Sequence, residues 1–372
     1  MTARPASTRH RARTTAGERG GGVDPSLADF IAALPKAELH VHHIGSASPA
    51  AVAELAGRYE GTTAVPTDPA ALAGYFEFTN FAHFIQVYLS VVDLVRDAQD
   101  VWTLTYQIGQ DLVSQNVRHA ELTMTPYSSI RRGIPGPEFC AAIEDARARL
   151  EAEHDLTLRW CFDIPGEAGI ESADITLDVA LREQPAGLVS FGLGGPEAGV
   201  PRRQFEPHFA AARAAGLHSV PHAGESSGPE TVWAAVRFLG AERIGHGIAA
   251  VRDGGLMAYL RENDVPLEIC PTSNVRTRSV PSLAEHPLPA LVAAGVAVTI
   301  NSDDPSMFST TLNREYAVAA ELLNLDAAGV ADLARASVRY SFAEDGRKAD
   351  VLAAIDDAAR GQTHIDASTD PS

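Results

Sequence analysis

Four short clusters of metal-type and acid–base side chains punctuate the chain: His40-Val41-His42, His222-Ala223-Gly224-Glu225, Gly245-His246-Gly247 and Asp303-Asp304. In H-x-H on a β-strand, residues i and i+2 share a face, so both imidazoles can address one ion. A single pair of this kind arises by chance and by ordinary packing. Four clusters, each closing a short apolar run, point together to a metal site. Three imidazoles and a carboxylate make an N/O donor set that suits Zn2+ and leaves a position for water, whose pKa the ion would bring to about 7. Glu225 follows His222 closely enough to stand beside such an ion without binding it, a placement for proton transfer. Metal-assisted hydrolysis is the chemistry that these residue types support.

The elements that must bring them together follow from the apolar patterning. Strands are expected over residues 37–42, 118–124, 156–163, 188–192, 217–222, 243–246, 265–270 and 296–301, most of them continuous apolar runs like parallel strands buried on both faces. Amphipathic helical stretches separate them, over 137–154, 204–215, 228–239, 254–263 and 282–294. Eight strands alternating with helices predict an α/β fold, a (β/α)8 TIM barrel. Residues 49–116 are too many for one crossover and read as a helical insertion after strand one. His40 and His42, then His222, His246 and Asp303 with Asp304, fall at the C-terminal ends of strands one, five, six and eight. Barrel enzymes carry their sites on that face. Each histidine alone would read as a satisfied core or surface residue; their joint placement favours a site.

Composition sets the bounds. The 372 residues are 45% hydrophobic, enough for a large core, and no apolar run is long enough to span a bilayer. A net charge of −18 argues against a nucleic-acid surface, so an anionic substrate must be met by local arginines. Cys140, Cys161 and Cys270 form no C-x-x-C and no even set, which argues for a reducing compartment. Residues 1–23 are rich in Arg, Thr, Ala and Gly without an apolar stretch, and read as a disordered arm rather than a secretory signal. A single domain is expected over 24–360, with a polar tail over 361–372. The expected location is the cytoplasm, the expected partner a small molecule with neither nucleic acid nor membrane, and a homo-oligomer is compatible with the sequence.

The same residues resemble the adenosine deaminase family of the amidohydrolases, over about residues 34–340. The motifs are Leu34-Pro35-Lys36-Ala37-Glu38-Leu39-His40-Val41-His42, Gly192-Leu193-Gly194-Gly195-Pro196-Glu197, His222-Ala223-Gly224-Glu225, Gly245-His246-Gly247, Cys270-Pro271-Thr272-Ser273-Asn274 and Asn301-Ser302-Asp303-Asp304-Pro305. The resemblance implies one Zn2+ per chain held by His40, His42, His222 and Asp303. It implies that Glu225 protonates purine N1 while an activated water attacks C6, and that His246 orients the water and steadies the developing oxyanion. It also implies that Asp304 hydrogen-bonds N7, that the Gly195 N–H meets N3, and that ammonia leaves a 6-oxopurine.

One departure bears on the substrate. After the first two ligands the family usually reads Leu, then Asp or Glu, then Gly, and the acid binds the ribose 5′-hydroxyl; here the chain reads His43-Ile44-Gly45. Ile44 cannot accept a hydrogen bond. Sites that bind a hydroxyl discriminate by about 10⁴ or more, so its loss weakens a preference for plain adenosine. An adenine nucleoside with an apolar arm ending in a carboxylate would instead gain. Two like charges about 4 Å apart at an effective dielectric of about 20 cost roughly 4 kcal/mol, and no acid now stands there.

The His42-His43-Ile44-Gly45-Ser46 form is similar to that of actinobacterial aminodeoxyfutalosine deaminases. This implies deamination of 6-amino-6-deoxyfutalosine to futalosine in menaquinone synthesis; adenosine or adenine deamination in purine salvage is the alternative. Candidate partners for the carboxylate are Arg131 and Arg132 after strand two and Arg276 and Arg278 after strand seven, each of which also reads as a solvated loop charge. Asp163, closing strand three, is a candidate for the ribose or the arm. Phe76, Phe78, Phe81 and Phe84 read as helix core with one or two rings at the pocket edge.

Overall fold

The first expected strand, β1 (Lys36–His42), is buried along almost its whole length, as a central parallel strand covered on both faces must be. The computed structural model describes residues 23–76 and 81–368. In it β1 is followed by β2 (Val117–Met124), β3 (Thr157–Pro165), β4 (Leu188–Gly194), β5 (His218–Ala223), β6 (Ile244–His246), β7 (Leu267–Ile269) and β8 (Val298–Ile300). Each strand pairs in parallel with the next in sequence order. The ring returns to β1 through a parallel bridge between Val41 and Asp303. There the Asp303 N–H donates to the His40 carbonyl at 2.9 Å and the His42 N–H to the Asp303 carbonyl at 2.8 Å. The fold is the (β/α)8 barrel that the alternation predicts.

The insertion after β1 consists of helices Pro49–Arg58, Pro69–Tyr75, Phe81–Val92 and Ala98–Ser114. Their starts are legible in the chain. Ser48 and Asp68 cap the first two, each followed by proline in the first turn, and Asp97 with Asp100 forms a reciprocal capping box on the last. The helix expected over 282–294 is shorter: a 3-10 turn, Leu283–Glu285, precedes Leu288–Ala293. Pro287 has no N–H to give and restricts His286 before it, so the helix begins only beyond it.

The strand expected over 265–270 narrows to β7 because Asp264 turns through φ 53° before it and Cys270 already caps the helix Pro271–Arg276. The last helix, Asp345–Ser368, runs through most of the segment expected as a polar tail. The arm expected over 1–23 falls almost wholly outside the described residues. Phe78 and the side chains of Phe81 and Phe84 also lie outside them, while Phe76 is a core residue. Among the described residues no helix is long and apolar enough to cross a membrane.

Candidate active site

At the C-terminal rim of the barrel, β1 presents His40 and His42, β5 presents His222, and the turn after β8 presents Asp303. One ligand-type atom from each lies within 4.8 Å of the others. Nε2 of His42 and Nε2 of His222 approach to 3.1 Å, and Oδ1 of Asp303 lies 3.3 Å from His42 Nε2 and 3.5 Å from His40 Nε2. Bonds of about 2.1 Å to one tetrahedral ion place its donors ~3.4 Å apart, so these are the edges of such a tetrahedron. The donor chemistry agrees. Burial holds His42 down at about 4 and His222 well below the usual imidazole range, which favours the neutral form of both rings, and His40 Nε2 is buried with no hydrogen-bond partner among the described residues. For His40, Asp303 and Glu268 outweigh desolvation and draw it up to about 10, so the cluster favours positive charge. The four residues fit a metal ion.

The approach is close because the chain leaves room for it. A Cβ on Gly245 would stand 2.8 Å from His40 Cε1 and 3.1 Å from His222 Cγ, and one on Gly45 would collide with the Asp304 carboxyl. Two non-glycine residues of the rim, His246 and Asp303, take left-handed φ values of 61° and 65°. Such backbone costs about 1–3 kcal/mol per residue and is held only where the surroundings enforce it.

Beneath the cluster runs a charged network inside the barrel. His40 Nδ1 meets Glu268 Oε2 at 2.9 Å, and Arg243 donates from Nε to Glu268 Oε1 at 2.6 Å and from Nη2 to Glu121 Oε2 at 2.5 Å. His119 Nε2 contacts Glu121 Oε1 at 3.2 Å. Burial alone would raise both carboxyls, but Arg243 outweighs it: Glu268 stays below the usual range and Glu121 is held at about 2. A carboxylate on the far nitrogen of a metal-binding imidazole fixes its orientation and strengthens it as a donor. Ser273 does the corresponding service for Asp303, donating to Oδ2 at 2.5 Å.

Protons on His246 are ordered from outside. The Leu288 N–H donates to His286 Nδ1 at 3.1 Å, and burial holds His286 at about 4, so this ring carries its hydrogen on Nε2. That nitrogen donates to Asn274 Oδ1 at 3.1 Å, which turns Asn274 Nδ2 toward His246 Nδ1, also at 3.1 Å. His246 Nδ1 is therefore an acceptor, and its hydrogen sits on Nε2. That hydrogen faces the reaction side, with Glu225 Oε2 and Asp303 Oδ2 each 3.7 Å from Nε2.

Above these groups opens a cavity of about 880 Å³ that reaches His42, His222, Glu225, His246, Asp303 and Asp304. Gly195 lines it with φ 79°, and a Cβ there would land 2.1 Å from Glu167 Oε2. Burial beside Asp303 pushes the Asp304 carboxyl well above the usual range, so it presents a donor. Asp163 is raised to about 7 by burial and accepts from Thr125 Oγ1 at 2.6 Å. Ile44 forms part of the lining, and its other apolar members include Leu89, Val92, Val95, Met124 and Phe139. Arg132 also lines the cavity, its Nε and Nη2 donating to Asp93 Oδ1 at 3.2 and 3.0 Å.

Arg131 does not join it. Its side chain is 60% exposed, points to Glu171 at 3.7 Å and lines no part of the cavity, because successive residues of the short helix Pro126–Arg131 face different ways. Arg276 and Arg278 are exposed outside the lining, where Thr277 and Ser279 take the wall positions. Sequence reasoning missed Glu121, Arg243 and Glu268, although a charge inside a short apolar strand was a signal. It also missed Tyr88 and Phe308 in the cavity wall. For His286, in a connecting segment, there was no signal.

Comparison with known proteins gives a consistent result. The family model described as adenosine deaminase matches residues 35–358. The chain is 60% identical over 342 residues to the aminodeoxyfutalosine deaminase of Streptomyces avermitilis, covering 91% of this chain and 95% of that one. It is 36% identical over 334 residues to the adenine deaminase of Cupriavidus metallidurans, covering 90% and 94%. Among solved structures, the adenine deaminase of Arthrobacter aurescens superposes with a TM-score of 0.82 at 32% identity, covering 88% of this chain and all of that one.

Proposed function

The chain belongs to the adenosine deaminase family and is a hydrolytic deaminase, and from that premise we propose that its substrate is an adenine nucleoside whose 5′ position carries an apolar arm ending in a carboxylate. Aminodeoxyfutalosine, named for the 60%-identical relative, is the nucleoside of that kind, and its use would place the reaction in menaquinone synthesis. The observation that carries the reading is the lining of the cavity that reaches the metal-type cluster, in which Ile44, several apolar side chains and Arg132 all take part.

Zinc, one ion per chain, suits the three imidazoles and one carboxylate of His40, His42, His222 and Asp303, and when bound it would supply a water with a pKa near 7. Around it this chain's groups divide the remaining tasks. Asp304 donates to N7 and the Gly195 N–H meets N3, which sets C6 above the cluster. Glu225 delivers to N1 a proton taken from the attacking water. His246, with its hydrogen on Nε2, donates to the oxygen that adds to C6 and steadies its charge. The C6–O bond forms, the C6–N6 bond breaks, and the second water proton leaves with the amino group as ammonia. Asp163 contacts the sugar or the arm, and Arg132 exchanges Asp93 for the substrate carboxylate.

Esterifying the arm of the substrate tests this reading. The neutral ester should lose roughly ten- to a hundredfold in kcat/KM, the value of about 1.5–3 kcal/mol for hydrogen bonds to a charged group. Equal turnover of acid and ester would reject the carboxylate-binding part of the proposal.

A further inference from the structure

Glu197 ends a motif that the sequence singles out, yet no step of the reaction uses it. It follows β4, is 4% exposed, and lines no part of the cavity. Both of its oxygens are filled from one short segment. Oε2 accepts from the Gly224 N–H at 2.7 Å and from Thr231 Oγ1 at 2.7 Å. Oε1 accepts from the Glu225 N–H at 2.7 Å and the Ser226 N–H at 2.9 Å. Three successive amides thus converge on one carboxylate, the concave arrangement in which backbone binds an anion. Gly224 makes the curvature possible with φ 69°, and a Cβ there would stand 2.4 Å from Val232 Cγ2.

Glu197 remains an anion in this place. Burial would raise it, but Thr231, the Ser226 and Gly224 amides and the Arg202 charge outweigh burial and hold it below the usual carboxylate range. Arg202 is itself buried, and its three guanidinium nitrogens have no hydrogen-bond partner among the described residues. Its charge acts on Glu197 through space.

The middle residue of the gripped segment is Glu225. Its own N–H and the next one bind the same oxygen, so the peptides on both sides of its Cα are fixed relative to Glu197. A glutamate side chain has three rotatable bonds, and its carboxyl must arrive at N1 rather than at the metal ligands. We propose that Glu197 is a positioning residue for Glu225, setting the backbone from which the proton-transferring carboxyl reaches the purine. This role rests on the proton-transfer reading of Glu225. Glu197 cannot transfer the proton itself, since its oxygens are saturated by donors and it has no access to the cavity.

Steady-state kinetics of ammonia release by zinc-loaded Glu197→Gln, Glu225→Gln and the double variant tests the proposal. Glutamine keeps the shape of Glu197 but turns an amide toward the backbone N–H groups. Glu197→Gln should lose ~30-fold or more in kcat, about 2 kcal/mol, with KM and zinc content near those of the parent. In the Glu225→Gln background the same change should cost nothing further. An equal loss in both backgrounds would show that Glu197 acts independently of Glu225 and would overturn the proposal. Near-parental activity of Glu225→Gln alone would instead defeat the proton-transfer reading, and this role with it. If Glu197→Gln does not fold, Thr231→Val removes only one donor from Glu197. A several-fold kcat loss that disappears in the Glu225→Gln background supports the proposal, and an equal loss in both overturns it.

Discussion

Asn274 donates from Nδ2 to His246 Nδ1 at 3.1 Å, and that one contact decides which face of the imidazole carries hydrogen. The direction is set two residues away, by the Leu288 N–H acting on His286. If His246 must donate from Nε2, loss of Asn274 frees the ring to take the other tautomer and to rotate. Asn274→Ala should lower kcat by roughly tenfold to a hundredfold, less than the roughly 10²–10³-fold cost of removing a charge-stabilising donor outright because His246 itself stays, with little change in KM. His286→Gln, which can still offer an N–H to Asn274, should retain more activity than His286→Ala. Steady-state kinetics on the three variants checks this, and a change confined to KM would contradict it.

Ile44 and Arg132 line the same cavity, and substitution of either should act on the carboxylated nucleoside selectively. Ile44→Asp places a carboxylate where the substrate arm passes. Repulsion of up to about 4 kcal/mol predicts a loss approaching a thousandfold in kcat/KM for the carboxylated nucleoside, with adenosine gaining. Arg132→Ala should raise KM for the carboxylated nucleoside and leave adenosine unchanged. Parallel effects on both substrates in either variant would separate these residues from the arm.

The Glu121–Arg243–Glu268 network makes a prediction about stability. Arg243 is 2% exposed, and Glu268→Gln removes one of its two carboxylate partners. Breaking a buried pair typically costs about 3–5 kcal/mol, and loss of a carboxylate behind a metal-binding histidine typically costs about 10–100-fold in metal affinity. Urea denaturation and metal titration read the two effects separately.

The pH dependence follows from Glu121, whose folded value is depressed from 4.5 to about 2. Between those values the unfolded chain binds the proton that the native chain refuses, so unfolding gains as pH falls. The stabilisation by Glu121 is complete above about pH 4.5 and is lost as pH falls toward about 2. Glu121→Gln should therefore cost most at neutral pH, and the gap to the parent should narrow as pH falls from about 5 to 3. A gap that stays constant or widens would contradict the assignment.

Metal removal gives a further expectation. An ion that binds only the folded chain adds about 2.7 kcal/mol of stability at a free concentration 100 times its Kd. Dialysis against a chelator should abolish ammonia release and lower the unfolding midpoint, and Zn2+ should restore both. A chelated protein of undiminished activity would remove the His40–His42–His222–Asp303 cluster from the chemistry.

What was legible in the sequence and what was not divide along one physical line. His40, His42, His222 and Asp303 were readable because each ends a strand of a barrel, and the barrel brings strand ends to one face whatever lies between them. The same periodicity placed the insertion after β1 and all eight strands to within a few residues. Side-chain direction on short helices was not readable: Arg131 and Arg132 are neighbours in sequence, yet only the second faces the cavity. Nor were contacts that join distant segments through hydrogen bonds. Glu268 meets His40 across 228 positions, and Glu197 meets Ser226 across 29. No local pattern encodes such pairs. Glu197 and Asn274 stood inside motifs, but their tasks emerged only from their partners.

The most direct measurement is ammonia release by zinc-loaded enzyme, comparing kcat/KM for aminodeoxyfutalosine, adenosine and adenine under one set of conditions. A cavity lined by Ile44 in place of an acid, and by Arg132, predicts a preference of roughly a hundredfold or more for aminodeoxyfutalosine, about 2.7 kcal/mol of transition-state binding. Adenosine or adenine turned over as well or better would contradict it and return the chain to purine salvage, with Ile44 a neutral replacement.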